Sequence, residues 1–238
     1  MERSESFGGG DLIISVHIPK TGGTTFLEVL RGVAEDVVYL DYGAGTAPTG
    51  LYRGGIKVAD QFAPIPNFDS MCGRSVIHGH FRMGKYFPKF PKATYVTWLR
   101  DPVERLASHY FFWQRTTFKT DPLWNKVIGE KMSFEQFAQM DIARNVQHRF
   151  LSPAGVDGFA FAGITEEYER SLELFRRLIC PDLEIVPTMQ NANPNRLNSS
   201  YDLDPEVRER ILLLNELDVA IYASGLRRFR RLCEQTGI

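Results

Sequence analysis

Apolar and polar positions fall into alternating blocks along this chain, short β-branched runs followed by helical stripes. Asp11–Ile18 (DLIISVHI) is an apolar run closed by Pro-Lys-Thr-Gly-Gly, which predicts a buried strand. Thr24–Val33 then sets Phe26, Leu27, Leu30 and Val33 near one stripe of a helix. Asp36–Leu40 and Ser75–His78 predict two further strands, and Ala93–Leu99 (ATYVTWL) a strong one. Between them, residues 43–69 are rich in Gly and Pro and read as a long loop, a kind of segment that is often functional. After Leu99, Asp101 suits a helix N-cap, Pro102 the first turn and Glu104 a capping box, in a helix running through Leu106, Tyr110 and Trp113. Ser133 with Gln136 opens another helix, Phe161–Ile164 is a strand, and Thr165 caps a helix to about Leu178. Glu184–Pro187 reads as a last strand, followed by helices from Asp204-Pro205 and over Asp218–Cys233. Strands that alternate with helices predict an α/β fold on a largely parallel sheet. No repeat or linker divides it, so residues 11–238 read as one domain behind a loose polar tail, residues 1–10.

Composition narrows the partners. Lys plus Arg is 28 and Asp plus Glu is 29, so no global basic excess exists for a nucleic-acid polymer, and any anion site must be local. The three cysteines, Cys72, Cys180 and Cys233, are far apart and form no C-x-x-C pair. This argues against a disulfide framework or a structural zinc and fits a reducing compartment. No run of apolar residues is long enough to span a membrane, and the N-terminus lacks the apolar core of a signal peptide.

Two strand-to-helix junctions carry the chemistry. In His17-Ile18-Pro19-Lys20-Thr21-Gly22-Gly23-Thr24-Thr25, a strand meets a Gly-Gly turn that opens a helix. The first helical N–H groups lack partners, the glycines admit an anion close to the backbone, and the helix dipole adds partial positive charge. Lys20 adds a full charge, and Thr21, Thr24 and Thr25 add hydroxyls. The lysine precedes the glycines, so this is not the G-x-x-x-x-G-K-[ST] phosphate loop of nucleotide kinases. At the second junction Arg100 ends the strand Ala93–Leu99, where a guanidinium can grip a phosphate bidentately. Ser108 lies about two turns into the following helix, able to lean back toward whatever Arg100 holds.

The pair PKTGGTT and RDPVERLASHY, about eighty residues apart, resembles the sulfotransferases that use 3′-phosphoadenosine-5′-phosphosulfate (PAPS). The likeness is closest to the heparan sulfate 2-O- and 6-O-sulfotransferases and their bacterial relatives. NVQHRFL at 145–151, GITEEYERSLELF at 163–175 and the stretch from Asn193 through Tyr222 extend it over nearly the whole chain, with 43–70 and 115–130 departing. The resemblance implies a single P-loop-like α/β domain and no metal. It implies that Lys20, Thr21, Gly22, Gly23, Thr24 and Thr25 hold the 5′-phosphosulfate, and Arg100 and Ser108 the 3′-phosphate. Asn193, Asn195 and Arg196 are further candidates for cofactor contacts.

In SVIHGHFR, His80 matches the catalytic base of the 2-O-sulfotransferases and His78 a neighbouring substrate contact. Histidine suits the role, because its ordinary pKa near 6.5 lets it accept an alcohol proton. His17, beside the phosphate loop, is the second candidate; His109 and His148 read as helix-face residues. Lys20 and the turn amides would then stabilise the leaving group in an in-line transfer. Residues 81–92 (FRMGKYFPKFPK) carry Arg82, Lys85, Lys89 and Lys92 among aromatic rings and no acid. That mix suits an anionic sugar polymer, with Arg82 and Lys85 as its contacts, and equally suits a solvated loop with a few buried rings. Arg115 and Lys119 extend the patch. The aromatic run 110–113 reads as core with a share in a ligand pocket, and Arg227, Arg228, Arg230 and Arg231 as a solvated helix face. The alternatives are an NTP-dependent kinase and a non-catalytic module for anionic glycan or nucleotide. With neither anchor nor disulfides in evidence, a bacterial cytoplasmic enzyme is the expectation, a trimmed secretory-pathway chain the other source.

Overall fold

Five parallel strands order the molecule so that one edge of the sheet collects the chain's chemistry. The structure, a computed structural model, describes residues 12–34, 37–42, 50–53, 56–60, 73–117, 122–181, 183 and 200–238. Its strands are β1 (Leu12–Val16), β2 (Val37–Asp41), β3 (Gly50–Arg53), β4 (Ile56–Asp60), β5 (Ser75–Gly79), β6 (Thr94–Leu99) and β7 (Phe161–Ile164). Their order in the sheet is β4-β3-β2-β5-β1-β6-β7. The run β2-β5-β1-β6-β7 is parallel, as the alternation of strands and helices predicts. Parallel strands are covered on both faces, which is why β2 and β5 are buried at every position rather than at every second one.

The segment read as a loop holds a correction. β3 and β4 form an antiparallel hairpin on the β2 edge, with an irregularity between Leu51 and Tyr52. Gly50 opens β3, and both strands are short. Frequent Gly and Pro masked the brief β-rich stretches LYR and IKVAD.

The helices are α1 (Gly23–Val33), α2 (Pro102–Arg115), α3 (Pro122–Trp124, running into a π-turn over Asn125–Gly129), α4 (Phe134–Ala138), α5 (Val146–Leu151), α6 (Tyr168–Ile179), α7 (Pro205–Leu214) and α8 (Glu216–Thr236). Phe26 of α1 packs against Trp98, Phe161 and Phe175, binding α1 and α6 to one face of β6 and β7. Leu99, pointing to the opposite face, meets α8 at Gly225. A second apolar cluster is built mainly from helices: Val103, Leu106, Tyr110 and Trp113 of α2 pack with Phe137 and Ile211.

Two start signals differ from their sequence reading. Asp101 caps α2 through Val103 and Glu104 N–H groups, both at 3.0 Å. The reciprocal half of that box is absent: Asp101 N–H donates to Glu166, while the Glu104 carboxylate accepts from Tyr201 N–H. Thr165 does not cap a helix. It sits in a 3-10 turn and its hydroxyl lies 2.9 Å from the carbonyls of both Thr21 and Leu99, tying β7 to the Lys20 loop. Ser133 and Gln136 do form the full capping box. Arg228 is half-buried and donates to the Val156 carbonyl, while Arg227, Arg230 and Arg231 keep to the solvated face. The segment 1–10, Cys72, Lys119, Glu184–Pro187, Asn193, Asn195 and Arg196 lie outside the described residues. Among those residues, no helix is long and apolar enough to cross a membrane.

Candidate active site

Each parallel strand hands a chemically active residue to the same edge. Asp41 ends β2 and Tyr42 follows it, His80 follows β5, His17 and the Lys20 loop follow β1, Arg100 follows β6 and Thr165 follows β7. The carboxyl edge of an open parallel sheet is where ligand crevices form. Because Ser15 pairs with His78 and Val16 with Gly79, His17 and His80 emerge side by side.

The Lys20 loop is shaped for an anion. Lys20 has φ 72°, a left-handed conformation that strains a lysine by roughly 1–3 kcal/mol. Gly22 has φ 88°, and no side chain caps the helix that follows. A left-handed residue leading into a helix directs successive N–H groups into one concavity. A methyl group on Gly23 would lie 2.1 Å from the His17 ring, so the close packing of His17 on α1 requires glycine there. Thr21 is fully buried and donates its hydroxyl to the Ile18 carbonyl at 2.9 Å. That hydroxyl closes the loop instead of facing a ligand, as the sequence reading had it do; Thr24 is exposed and Thr25 half-buried.

Cations converge on this loop. The Arg100 guanidinium donates to the Lys20 carbonyl at 3.1 Å. The Lys20 ammonium stands 3.7 Å above the Phe112 ring. Burial, then Arg100 and Arg115, lower the Lys20 pKa to about 8. Ser108, Phe112 and Arg115 recur at helical spacing on α2, so Ser108 lies one turn from the ring that carries Lys20. Arg100 itself is held by a residue that the residue-by-residue reading left without a role. Gln147 accepts from Arg100 N–H at 2.9 Å and donates to the Arg100 carbonyl at 2.8 Å. Gln147 is fully buried, and Asp218 accepts from its N–H and that of His148.

Beside the loop stands a histidine cluster. His80 Nδ1 is 2.7 Å from the His17 carbonyl, and His17 Nδ1 is 3.1 Å from the Tyr42 hydroxyl. The His17 and His80 ring centres are 4.3 Å apart. A carbonyl only accepts, so Nδ1 of His80 carries the proton and the Nε2 lone pair of the neutral ring is left to act as a base. His80 keeps an exposed face, yet surrounding protein, and then Lys20, lower its pKa; the His17 bond opposes this. His78 is fully buried, bonds Ser15 at 2.9 Å, and has its pKa pushed down to about 3 by burial and then His80. That places it behind the cluster, against the Ser15 side chain. His109, read as a helix-face residue, is packed against Trp113 and Phe137.

His80 opens onto a cleft of about 480 Å³ lined by Asp41, Phe81, Arg82, Gly84, Lys85, Arg149 and Ser152. Lys85 pairs with Asp41, which also accepts from Tyr86 at 2.8 Å. Phe81 and Tyr86 belong to the core, while Arg82, Lys85, Lys89 and Lys92 are exposed. Arg149 is an addition from the structure, fixed by the Asp141 and Ile142 carbonyls. It lies in NVQHRFL, so the resemblance had marked its segment without its role.

With this geometry in view, comparison with known proteins identifies the lineage. A family model described as "Sulfotransferase family" matches residues 9–223. The chain belongs to that family. It is 26% identical to heparan-sulfate 6-O-sulfotransferase 1-B of Danio rerio over 269 residues, covering 90% of this chain and 65% of that one. It is 25% identical to heparan-sulfate 6-O-sulfotransferase 1 of Homo sapiens, covering 93% and 67%. The chain thus spans about two thirds of the length of these relatives. A solved sulfotransferase from Alicyclobacillus acidocaldarius aligns with a TM-score of 0.46 at 17% identity, covering 92% of this chain and 98% of that one.

Proposed function

We propose that this chain transfers the sulfuryl group of PAPS to a carbohydrate hydroxyl, with His80 as the base. PAPS supplies, when bound, an activated sulfuryl group attached to a phosphate leaving group. The residues fit such a ligand: the start of α1 has no side-chain cap, and Lys20, Arg100 and Arg115 crowd together in a way that an anion relieves. In this reading the Gly22–Thr25 N–H groups and Lys20 hold the 5′-phosphosulfate, and Arg100 with Ser108 holds the 3′-phosphate. Backbone and ammonium donors so fixed stabilise charge on the leaving oxygen. His80 Nε2 removes the acceptor's proton as the acceptor oxygen attacks sulfur from the side opposite that leaving oxygen.

The observation that carries the reading is the 2.7 Å bond from His80 Nδ1 to the His17 carbonyl. It orients a neutral base between the anion loop and a cleft in which, among the described lining residues, the cations Arg82, Lys85 and Arg149 outnumber the one carboxylate, Asp41. That excess suits an anionic glycan, and the named relatives act on heparan sulfate. Family membership favours sulfuryl over phosphoryl transfer, and the base beside the loop favours catalysis over binding alone. The test is incubation with PAPS labelled in its sulfur and a panel of polysaccharides: N-sulfated heparosan, chondroitin and neutral dextran. Label in an anionic glycan supports the reading; label in none of them, with PAPS intact, contradicts it.

A further inference from the structure

We infer that His17 is a second catalytic residue, whose Nε2–H donates to the oxygens of the sulfuryl group during transfer. This rests on the reading above. Transfer moves the sulfuryl group from a phosphate oxygen on the Lys20 loop to an acceptor oxygen at His80. The new S–O bond forms as the old one breaks, the departing bisphosphate keeps that bond's electron pair, and the proton goes to His80 Nε2. A group on that path passes the side chain lying between loop and base, and that side chain is His17.

Its position is fixed from three sides. A methyl group built on Gly23 would stand 2.2 Å from His17 Nε2, so this edge of the ring rests on the first turn of α1. Its other neighbour is the base, with ring centres 4.3 Å apart. Its main chain holds both partners: His17 N–H donates to the Gly79 carbonyl at 2.9 Å, and the His17 carbonyl accepts from His80. The Tyr42 hydroxyl lies 3.1 Å from His17 Nδ1. The role requires Tyr42 to donate to Nδ1, which leaves the imidazole hydrogen on Nε2. Among the described residues no group hydrogen-bonds that Nε2. Burial, then His80, hold the ring neutral, which makes it a donor rather than a competing cation or base.

The test separates the sulfuryl position from the nucleotide. The chain is loaded with 3′,5′-adenosine bisphosphate and titrated with orthovanadate, an oxyanion that fills the sulfuryl position. His17→Ala and the ring-filling His17→Phe weaken vanadate by at least about tenfold, the worth of a hydrogen bond to a charged group, and leave bisphosphate affinity unchanged. His17→Gln, which returns an N–H near the Nε2 position, recovers most of the loss, and Tyr42→Phe weakens vanadate to an intermediate degree. Equal vanadate affinity in wild type and His17→Phe overturns the proposal, as does a loaded wild type that binds no vanadate. A wild type that fails to bind the bisphosphate overturns the nucleotide reading itself, and the role of His17 with it.

Discussion

His80 Nδ1 lies 2.7 Å from the main-chain carbonyl of His17. The bond joins the turns after two neighbouring parallel strands, so the orientation of the His80 ring is set by backbone that the sheet holds. It also fixes which nitrogen receives a proton. Burial and Lys20 lower the His80 pKa from its ordinary 6.5, so the ring is already neutral at pH 7. Turnover is therefore flat through neutral pH and falls only in acid, below about pH 6.5. His80→Gln lowers turnover by roughly 10²–10⁴-fold with bisphosphate affinity unchanged. A rate still rising between pH 7 and 8 through His80 would contradict this.

Lys20 makes a proton-linked prediction. Its pKa near 8 reflects burial and the cations Arg100 and Arg115. A bound anion favours the charged ammonium and raises that pKa, so binding at pH 8 takes up roughly half a proton. Calorimetry in buffers of different ionisation enthalpy reads this directly. Lys20→Met abolishes the uptake and cuts turnover much more than melting temperature. Identical apparent enthalpies in all buffers for the wild type would count against it.

Arg100 and Gln147 divide reading from holding. Arg100→Ala lowers affinity for the 3′-phosphorylated nucleotide and leaves that for its 3′-hydroxyl analogue nearly unchanged. Gln147→Leu strips both hydrogen bonds from the Arg100 main chain. Each unsatisfied group costs about 1–3 kcal/mol, and 1 kcal/mol is about 2–4 °C in a chain of this size. Thermal melts should show a loss of several degrees together with weaker nucleotide binding. A variant that binds normally would show that the Gln147 clamp does not position Arg100.

Two glycines form a controlled pair. Gly23→Ala drives a methyl group into the His17 ring, whereas a methyl on Gly84 meets nothing within 4 Å. Gly23→Ala displaces His17 and with it the carbonyl that aims His80, so activity falls at least about tenfold. Gly84→Ala leaves the melting temperature within about a degree of wild type. Equal activity and stability in both would mean that the packing of His17 on α1 is dispensable.

The elements with strong periodicity were legible in the chain, and so were both strand-to-helix junctions. β1, α1, β6 and the start of α2 lie within a residue or two of their expected bounds, because apolar runs, Gly-Gly and Asp-Pro punctuate them locally. The hairpin β3–β4 was hidden by its glycines and by strands of only four and five residues. The pairing of His17 with His80 depends on β1 lying next to β5, a contact across 63 residues that no local pattern carries. The same non-locality conceals Gln147 behind Arg100 and the Thr165 hydroxyl on the Lys20 loop. Thr21 looked like a ligand group from its place in the motif, but its side chain turns back to Ile18.

The most direct measurement is calorimetric titration of the chain with 3′,5′-adenosine bisphosphate beside AMP and ATP, without magnesium. The bisphosphate is expected to bind at least about a hundredfold more tightly than AMP, the difference being the Arg100–Ser108 contact to its 3′-phosphate. Equal affinities for the bisphosphate and AMP, or a response to ATP alone that requires magnesium, would contradict it.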